Sequence, residues 1–143
     1  MVAIIGDLVD GNVAELRDDV LPLVNLTSTP GSFFVTGSHE CYSRVHGWID
    51  ALLGLGIRVL TNEHVVIQHH SDMQDPEQAT VVVAGVTDFG AHHFDKTQRS
   101  DPAMAMNGAP VDAVFQLLLA HQPRNAPEDK APRWVSTSRP LTS

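Results

Sequence analysis

The two apolar, strand-forming runs in the first forty residues each stop at a glycine followed by polar, chemically capable side chains. Val2-Ala3-Ile4-Ile5 breaks at Gly6-Asp7-Leu8-Val9-Asp10-Gly11, and Phe33-Phe34-Val35-Thr36 breaks at Gly37-Ser38-His39-Glu40. A short apolar run without polar alternation reads as a strand covered on both faces, the pattern of a parallel sheet flanked by helices. Residues just past such strands lie outside the carboxyl ends of the sheet, where open α/β folds gather their ligands. The spacing therefore predicts that Asp7, Asp10, Ser38 and His39 face one crevice.

Between and beyond these strands the pattern alternates. Asn12 is a helix cap with Glu15 three residues on, the signature of a capping box, and Val13, Leu16, Val20, Leu23 and Val24 follow at near-helical spacing until Pro22 shortens the helix. Gly31 opens the second strand, Ser32 to Thr36, which delivers Ser38 and His39 onto a turn. A second helix is predicted from Tyr42 to Leu53, with Val45, Trp48, Ile49, Leu52 and Leu53 on one face and Gly54 and Gly56 at its end. Further strands are predicted at Ile57–Leu60, Val65–Gln68, Thr80–Val86 and Phe115–Ala120, with a surface connection over His69–Gln78 and a short helix from Asp101-Pro102 to Met106. Strands alternating with two amphipathic helices point to an α/β or layered sandwich fold. The 143 residues, 43% apolar but only 6% aromatic, suffice for one core. Residues 1–123 are read as that domain, and 124–143, with three prolines and no apolar period, as a disordered tail.

Charge and cysteine usage narrow the function classes. A formal net charge of −8 repels polyanions, which argues against general binding of nucleic acid or anionic membrane. The single cysteine, Cys41, cannot form an internal disulfide. No stretch of about eighteen apolar residues is present, since Ile49–Leu60 is interrupted by Asp50, Gly54, Gly56 and Arg58, so no bilayer span is expected. The few residues before Gly6 lack the basic flank and long apolar core of an export signal. Compartment and oligomeric state are left open.

The ordered landmarks Gly6-Asp7-Leu8-Val9-Asp10, Phe34-Val35-Thr36-Gly37-Ser38-His39-Glu40, Leu60-Thr61-Asn62-Glu63, Ala84-Gly85-Val86-Thr87-Asp88 and Leu118-Leu119-Ala120-His121-Gln122-Pro123 resemble those of the calcineurin-like metallophosphoesterases. The likeness is strongest to the branch that includes membrane-anchored bacterial enzymes and an animal transmembrane protein carrying such a domain. It implies an αββα sandwich, incomplete in this chain, and metal-dependent hydrolysis of phosphate esters. It also implies two divalent cations of manganese, iron or zinc. By the same resemblance Asp7 is the carboxylate bridging the two cations, His121 a ligand, Ser38 a weakened ligand and His39 the catalytic imidazole oriented by Asp10. The chemistry suits these types: two adjacent cations lower the pKa of a shared water and clamp phosphoryl oxygens. A carboxylate can face two hard ions, and an imidazolium can protonate a departing alkoxide.

Three departures from the family pattern bear on competence. Only five residues precede Gly6, which leaves no room for the family's Asp-x-His pair; no histidine follows His121, where the family has Gly-His-x-His; and Ser38 stands where a metal-binding asparagine is expected. The resemblance thus leaves two or three ligand positions and implies weakened metal binding. The expectation is an impaired phosphoesterase, the chain being a fragment or an aberrant product of the full domain. One alternative is a non-catalytic remnant that keeps the fold, and another is a small α/β binding domain of separate ancestry.

Other candidates read more plainly. His69-His70 and His92-His93 are adjacent pairs in loops and are not expected to share a metal. Cys41 lacks an orienting group for nucleophilic work, Asp88 reads as a cap or turn residue, Trp48 as core, and Trp134 falls in the polar tail.

Overall fold

The computed structural model describes residues 1–42, 44–69, 79–125 and 135–136. The predicted connection at His69–Gln78 thus lies outside the described residues from residue 70 onwards, as do Trp134 and most of the span 124–143.

Two sheets form. The first joins β1 (Val2–Ile5), β2 (Ser32–Val35) and β3 (Ile57–Val59), all parallel, in that order. The second has the order β4 (Glu63–His69), β5 (Ala79–Gly85), β6 (Phe115–Leu119) and β7 (Val135–Ser136), with β4 and β5 antiparallel and the other pairs parallel. Side-chain alternation decides how they stack. Phe33 and Val35 pack with Leu60, Val83, Leu117 and Leu119 between the sheets, while Phe34, Ile57 and Val59 point the other way.

Helices cover both outer faces. α1 (Val13–Val20) and α3 (Val45–Gly54) lie over the first sheet, where Leu52 meets Phe34 and Ile57, and Trp48 meets Val9 and Val20. α4 (Pro102–Met106) lies over the second, its Ala105 packed on Ala84, Val86, Leu118 and Ala120. The layers therefore run helix, sheet, sheet, helix, as expected. Trp48 is core, 1% exposed, and its indole N–H donates to the Gly11 carbonyl at 2.9 Å, tying α3 to the loop after β1.

Local reading held where local chemistry rules. Asn12 caps α1 and exchanges hydrogen bonds with Glu15, and Pro22 lies in a 3-10 turn, Leu21–Asn25, that replaces the α-helix. Asp101 caps α4 through the Met104 N–H. Three readings are corrected. Ser38 and His39 sit on a short helix, α2 (Ser38–Tyr42), rather than a turn, and the longer helix starts at Val45 rather than Tyr42 because Arg44 adopts a left-handed φ of 64° between them. β1 is a half-buried edge strand, and β2 is the strand buried throughout.

Candidate functional site

The β1 and β2 turns meet at closest backbone range. Gly6 has a φ of +68°, and a Cβ there would lie 2.6 Å from the Gly37 nitrogen and 2.8 Å from His121 Nδ1. A Cβ on Gly37 would lie 2.4 Å from Asp7 Oδ1. Side chains at either position would force the strand ends apart, so glycine is what lets Asp7 reach across.

Asp7 itself is left-handed, with a φ of 53°, a conformation that costs a non-glycine residue about 1–3 kcal/mol unless its surroundings hold it. Glu40 supplies that hold. Its carboxylate is fully buried and accepts four backbone N–H groups: Asp7 at 2.9 Å, Leu8 at 2.6 Å, Val9 at 3.2 Å and Gly37 at 2.7 Å. Three successive amides after β1 and one after β2 converge on a single side chain, so a buried charge is balanced by oriented dipoles instead of a cation. The sequence reading gave Glu40 no role. The only sequence signal for it is its place right after Gly37-Ser38-His39, where a polar residue ordinarily reads as solvated.

With its backbone fixed, the Asp7 carboxylate gathers the other candidates. Oδ1 accepts the His39 N–H at 3.0 Å and the Ser38 hydroxyl at 3.3 Å, and Oδ2 lies 3.2 Å from His121 Nε2. Burial by itself raises the Asp7 pKa, but the His39 amide, the charges of His121 and His39 and the Ser38 hydroxyl outweigh it and hold the carboxyl below its ordinary range. Asp10 lies on the solvent side, where His39 Nδ1–H donates to its Oδ1 at 3.2 Å. That bond raises the His39 pKa, with the charge of Asp7 adding to it. Cys41, two residues after His39, is buried, and desolvation followed by the charge of Asp88 pushes its thiol up to about 12, which keeps it protonated and unreactive.

His121 comes from the other sheet. Two of the three strand ends that bring Asp7, His39 and His121 together are neighbours in the first sheet, and the third, after β6, belongs to the second. The site is therefore a seam between the stacked sheets, not a row along one sheet edge. His121 Nδ1–H donates to the Ile5 carbonyl at 2.9 Å across this seam, which leaves Nε2 as the nitrogen facing Asp7. Beside it, buried Asp88 accepts Gln122 Nε2 at 2.8 Å and the Gly90 N–H at 2.9 Å, so it acts as a turn and loop anchor.

Without a proton on Nε2, that nitrogen and an ionised Oδ2 both present lone pairs. At 3.2 Å they repel unless a proton or a cation lies between them. Bonds of about 2.0–2.2 Å to one metal at near-tetrahedral or octahedral angles separate two ligand atoms by about 3.0–3.4 Å, so this spacing fits one edge of a coordination shell. An imidazole held from behind by a carbonyl is the usual arrangement of a metal-ligating histidine. The fit stops at that edge: among the described residues no group of three or more His, Cys, Asp or Glu side chains is arranged to hold a metal ion. His92 and His93 stack on each other with ring centroids 4.0 Å apart, and His92 bonds the Phe89 carbonyl.

Comparison with known proteins gives this geometry its context. The chain is 34% identical over 128 residues to the transmembrane protein with metallophosphoesterase domain of Danio rerio, an alignment covering 88% of this chain. The Bos taurus protein of the same name is 37% identical over 125 residues, covering 86% of the chain. The chain is a metallophosphoesterase homologue. A Helicobacter pylori protein named as an uncharacterized metallophosphoesterase is likewise 34% identical over 87% of the chain and matched over 30% of its own length. The homologue spans 28% of the length of the two animal relatives. No family model matches it, and no solved structure does. Among its described residues no helix is long and apolar enough to cross a membrane.

Proposed function

We propose that this metallophosphoesterase homologue carries part of a metal-dependent site for hydrolysis of phosphate esters, with Asp7 and His121 as ligands, Ser38 as a weaker one, and His39 with Asp10 as the acid that serves the leaving group. The observation that carries this reading is the contact of His121 Nε2 with Asp7 Oδ2 at 3.2 Å, with Nδ1 already committed to the Ile5 carbonyl. When bound, divalent cations would supply a deprotonated water and neutralise phosphoryl oxygens.

The chain's own residues do the rest. Asp7 presents one oxygen towards His121 and holds α2 by the other, so the carboxylate is fixed before any ligand arrives. His39, kept protonated further into the neutral range by Asp10, offers its remaining N–H to an oxygen that gains negative charge as its bond to phosphorus breaks. Ser38 reaches the same carboxylate with a neutral hydroxyl, one atom shorter than an asparagine amide, and is the weakest member of the set.

Among the described residues the Asp7–His121 edge gains no third His, Cys, Asp or Glu ligand, which favours weak cation binding by this stretch alone and supports the reading of an impaired enzyme or a remnant that keeps the fold. Calorimetric titration with manganese separates the two. Binding heat that disappears in Asp7→Ala supports a working site, whereas a flat titration favours the remnant. With manganese present, hydrolysis of an aryl phosphate should fall at least a hundredfold in His39→Ala, in line with loss of a positioned proton donor. An unchanged rate removes His39 from the reaction.

A further inference from the structure

Next to the His39–Asp10 pair the surface turns aromatic. Tyr42, the last residue of α2, and Phe94 are 65% and 52% exposed, yet their rings pack edge to face with centroids 4.5 Å apart and planes at 73°. His39 meets the other side of Tyr42 at a centroid distance of 6.3 Å and an angle of 85°. Both rings stand on anchored backbone. Tyr42 follows buried Glu40 and Cys41, while the Phe94 N–H donates to the carbonyl of buried Ala91. Asp95 bonds the His46 ring at 2.9 Å and the Thr97 N–H at 2.9 Å, which fixes the Phe94 turn against α3.

Two exposed aromatic rings in one contact leave flat apolar surface in water, an arrangement that makes physical sense where a ligand covers it. Their position defines which part of a ligand that is. If His39 is the proton donor, as read above, the oxygen it serves belongs to the leaving group, so the leaving group and not the phosphoryl group lies on the Tyr42 side. A polyol leaving group calls for hydroxyl-binding side chains, whereas a planar ring calls for faces and edges of other rings.

We propose that Tyr42 and Phe94 form a leaving-group subsite that takes a planar aromatic group, such as the base of a nucleoside or an aryl ring, in a phosphate ester whose scissile bond lies at His39. This rests on the acid reading of His39, so the test has one arm that needs no catalysis. Adenosine, an uncharged alcohol product, is titrated into the full chain without metal while the aromatic proton resonances of Tyr42 and Phe94 are followed. Glycerol and 1-hexanol serve as the ring-free polar and apolar alcohols.

Adenosine should shift both rings and glycerol neither, and Tyr42→Ala or Phe94→Ala should weaken adenosine binding about tenfold, within the range for loss of one base-stacking partner. Both rings are exposed, and a circular dichroism spectrum matching the parent confirms that each variant folds. In the catalytic arm, Tyr42→Ala with manganese should raise KM for adenosine 5′-monophosphate about tenfold and leave KM for glycerol 3-phosphate unchanged. No ring shift with adenosine, or equal shifts with hexanol, overturns the subsite. Ring shifts without hydrolysis of any ester favour the remnant, overturn the leaving-group role and leave an aromatic-binding surface. Hydrolysis with equal KM changes for both esters overturns the subsite and leaves the phosphoesterase reading intact.

Discussion

The two halves of the site are built in opposite ways. Around Asp7 and His121 the placements come from backbone: four N–H groups on the buried Glu40 carboxylate, two glycines in contact, and a carbonyl behind the imidazole. Around His39 and Asp10 the carboxylate side chain is 91% exposed and the imidazole 45% exposed, and one hydrogen bond joins them. The first half is placed by backbone hydrogen bonds and close backbone contact, which salt does not screen. The second is set by charge that water and ions screen, so it holds a proton without fixing a geometry.

The sharpest way to break this contrast is Glu40→Ala. Up to four amides lose their acceptor at about 1–3 kcal/mol each where water cannot replace it, so a loss of about 3–5 kcal/mol in urea unfolding is expected. Glu40→Gln should recover only part of it, because its amide NH2 would face two of the donors. A loss below about 1 kcal/mol would show that the buried half is not held as described.

Gly37→Ala comes next. Its Cβ would sit 2.4 Å from Asp7 Oδ1 and 2.5 Å from the Asp7 nitrogen, both parts of a fixed turn, so about 1–3 kcal/mol of overpacking strain is expected. Manganese binding, if present, should fall with it. An alanine variant as stable as the parent would mean that the two turns give way easily.

The exposed half should respond in protonation instead. Asp10→Asn should leave the urea midpoint in place while the His39 titration, followed by proton resonance, moves towards the ordinary histidine value; added salt should do the same to a lesser degree. Equal titrations in parent and variant would remove Asp10 as the orienting partner.

The smallest effects lie in the pH dependence of stability, and the two halves have opposite signs. The Asp7 pKa is lowered on folding, so its contribution is present above the unfolded aspartate value and fades as pH falls through the lowered folded one. The His39 pKa is raised, so its contribution is complete below the unfolded histidine value and fades as pH rises through the raised folded one. Asp7→Asn should flatten the acid limb and, by removing its charge from beside His39, weaken the neutral limb to a lesser degree, whereas Asp10→Asn should flatten the neutral limb alone.

The same division explains what the sequence disclosed. The capping box at Asn12, the Asp101-Pro102 helix start and the strands ending at Gly6 and Gly37 are local, and their residues state them. Asp7, His39, Ser38 and Asp10 could be grouped because two short motifs carry them. Two facts were illegible. Glu40 works through donors up to 33 residues away, which no local period reports. The assignment of β6 to a second sheet depends on which neighbour it pairs with, and an apolar run reads alike in either sheet. The α2 helix was missed for a related reason: its break at Arg44 is a left-handed residue without glycine, which composition does not announce.

The hydrogen bond from His121 to Ile5 spans 116 positions of the chain. It sets an order of assembly during synthesis. Asp7, Ser38 and His39 leave the ribosome before His121 and can meet as soon as β2 pairs with β1, but their pocket stays open on one side until β6 emerges and docks. Until then the Asp7 carboxylate has only the Ser38 hydroxyl and the His39 amide beside it, so the pairing with His121 waits for the docking of the second sheet on the first.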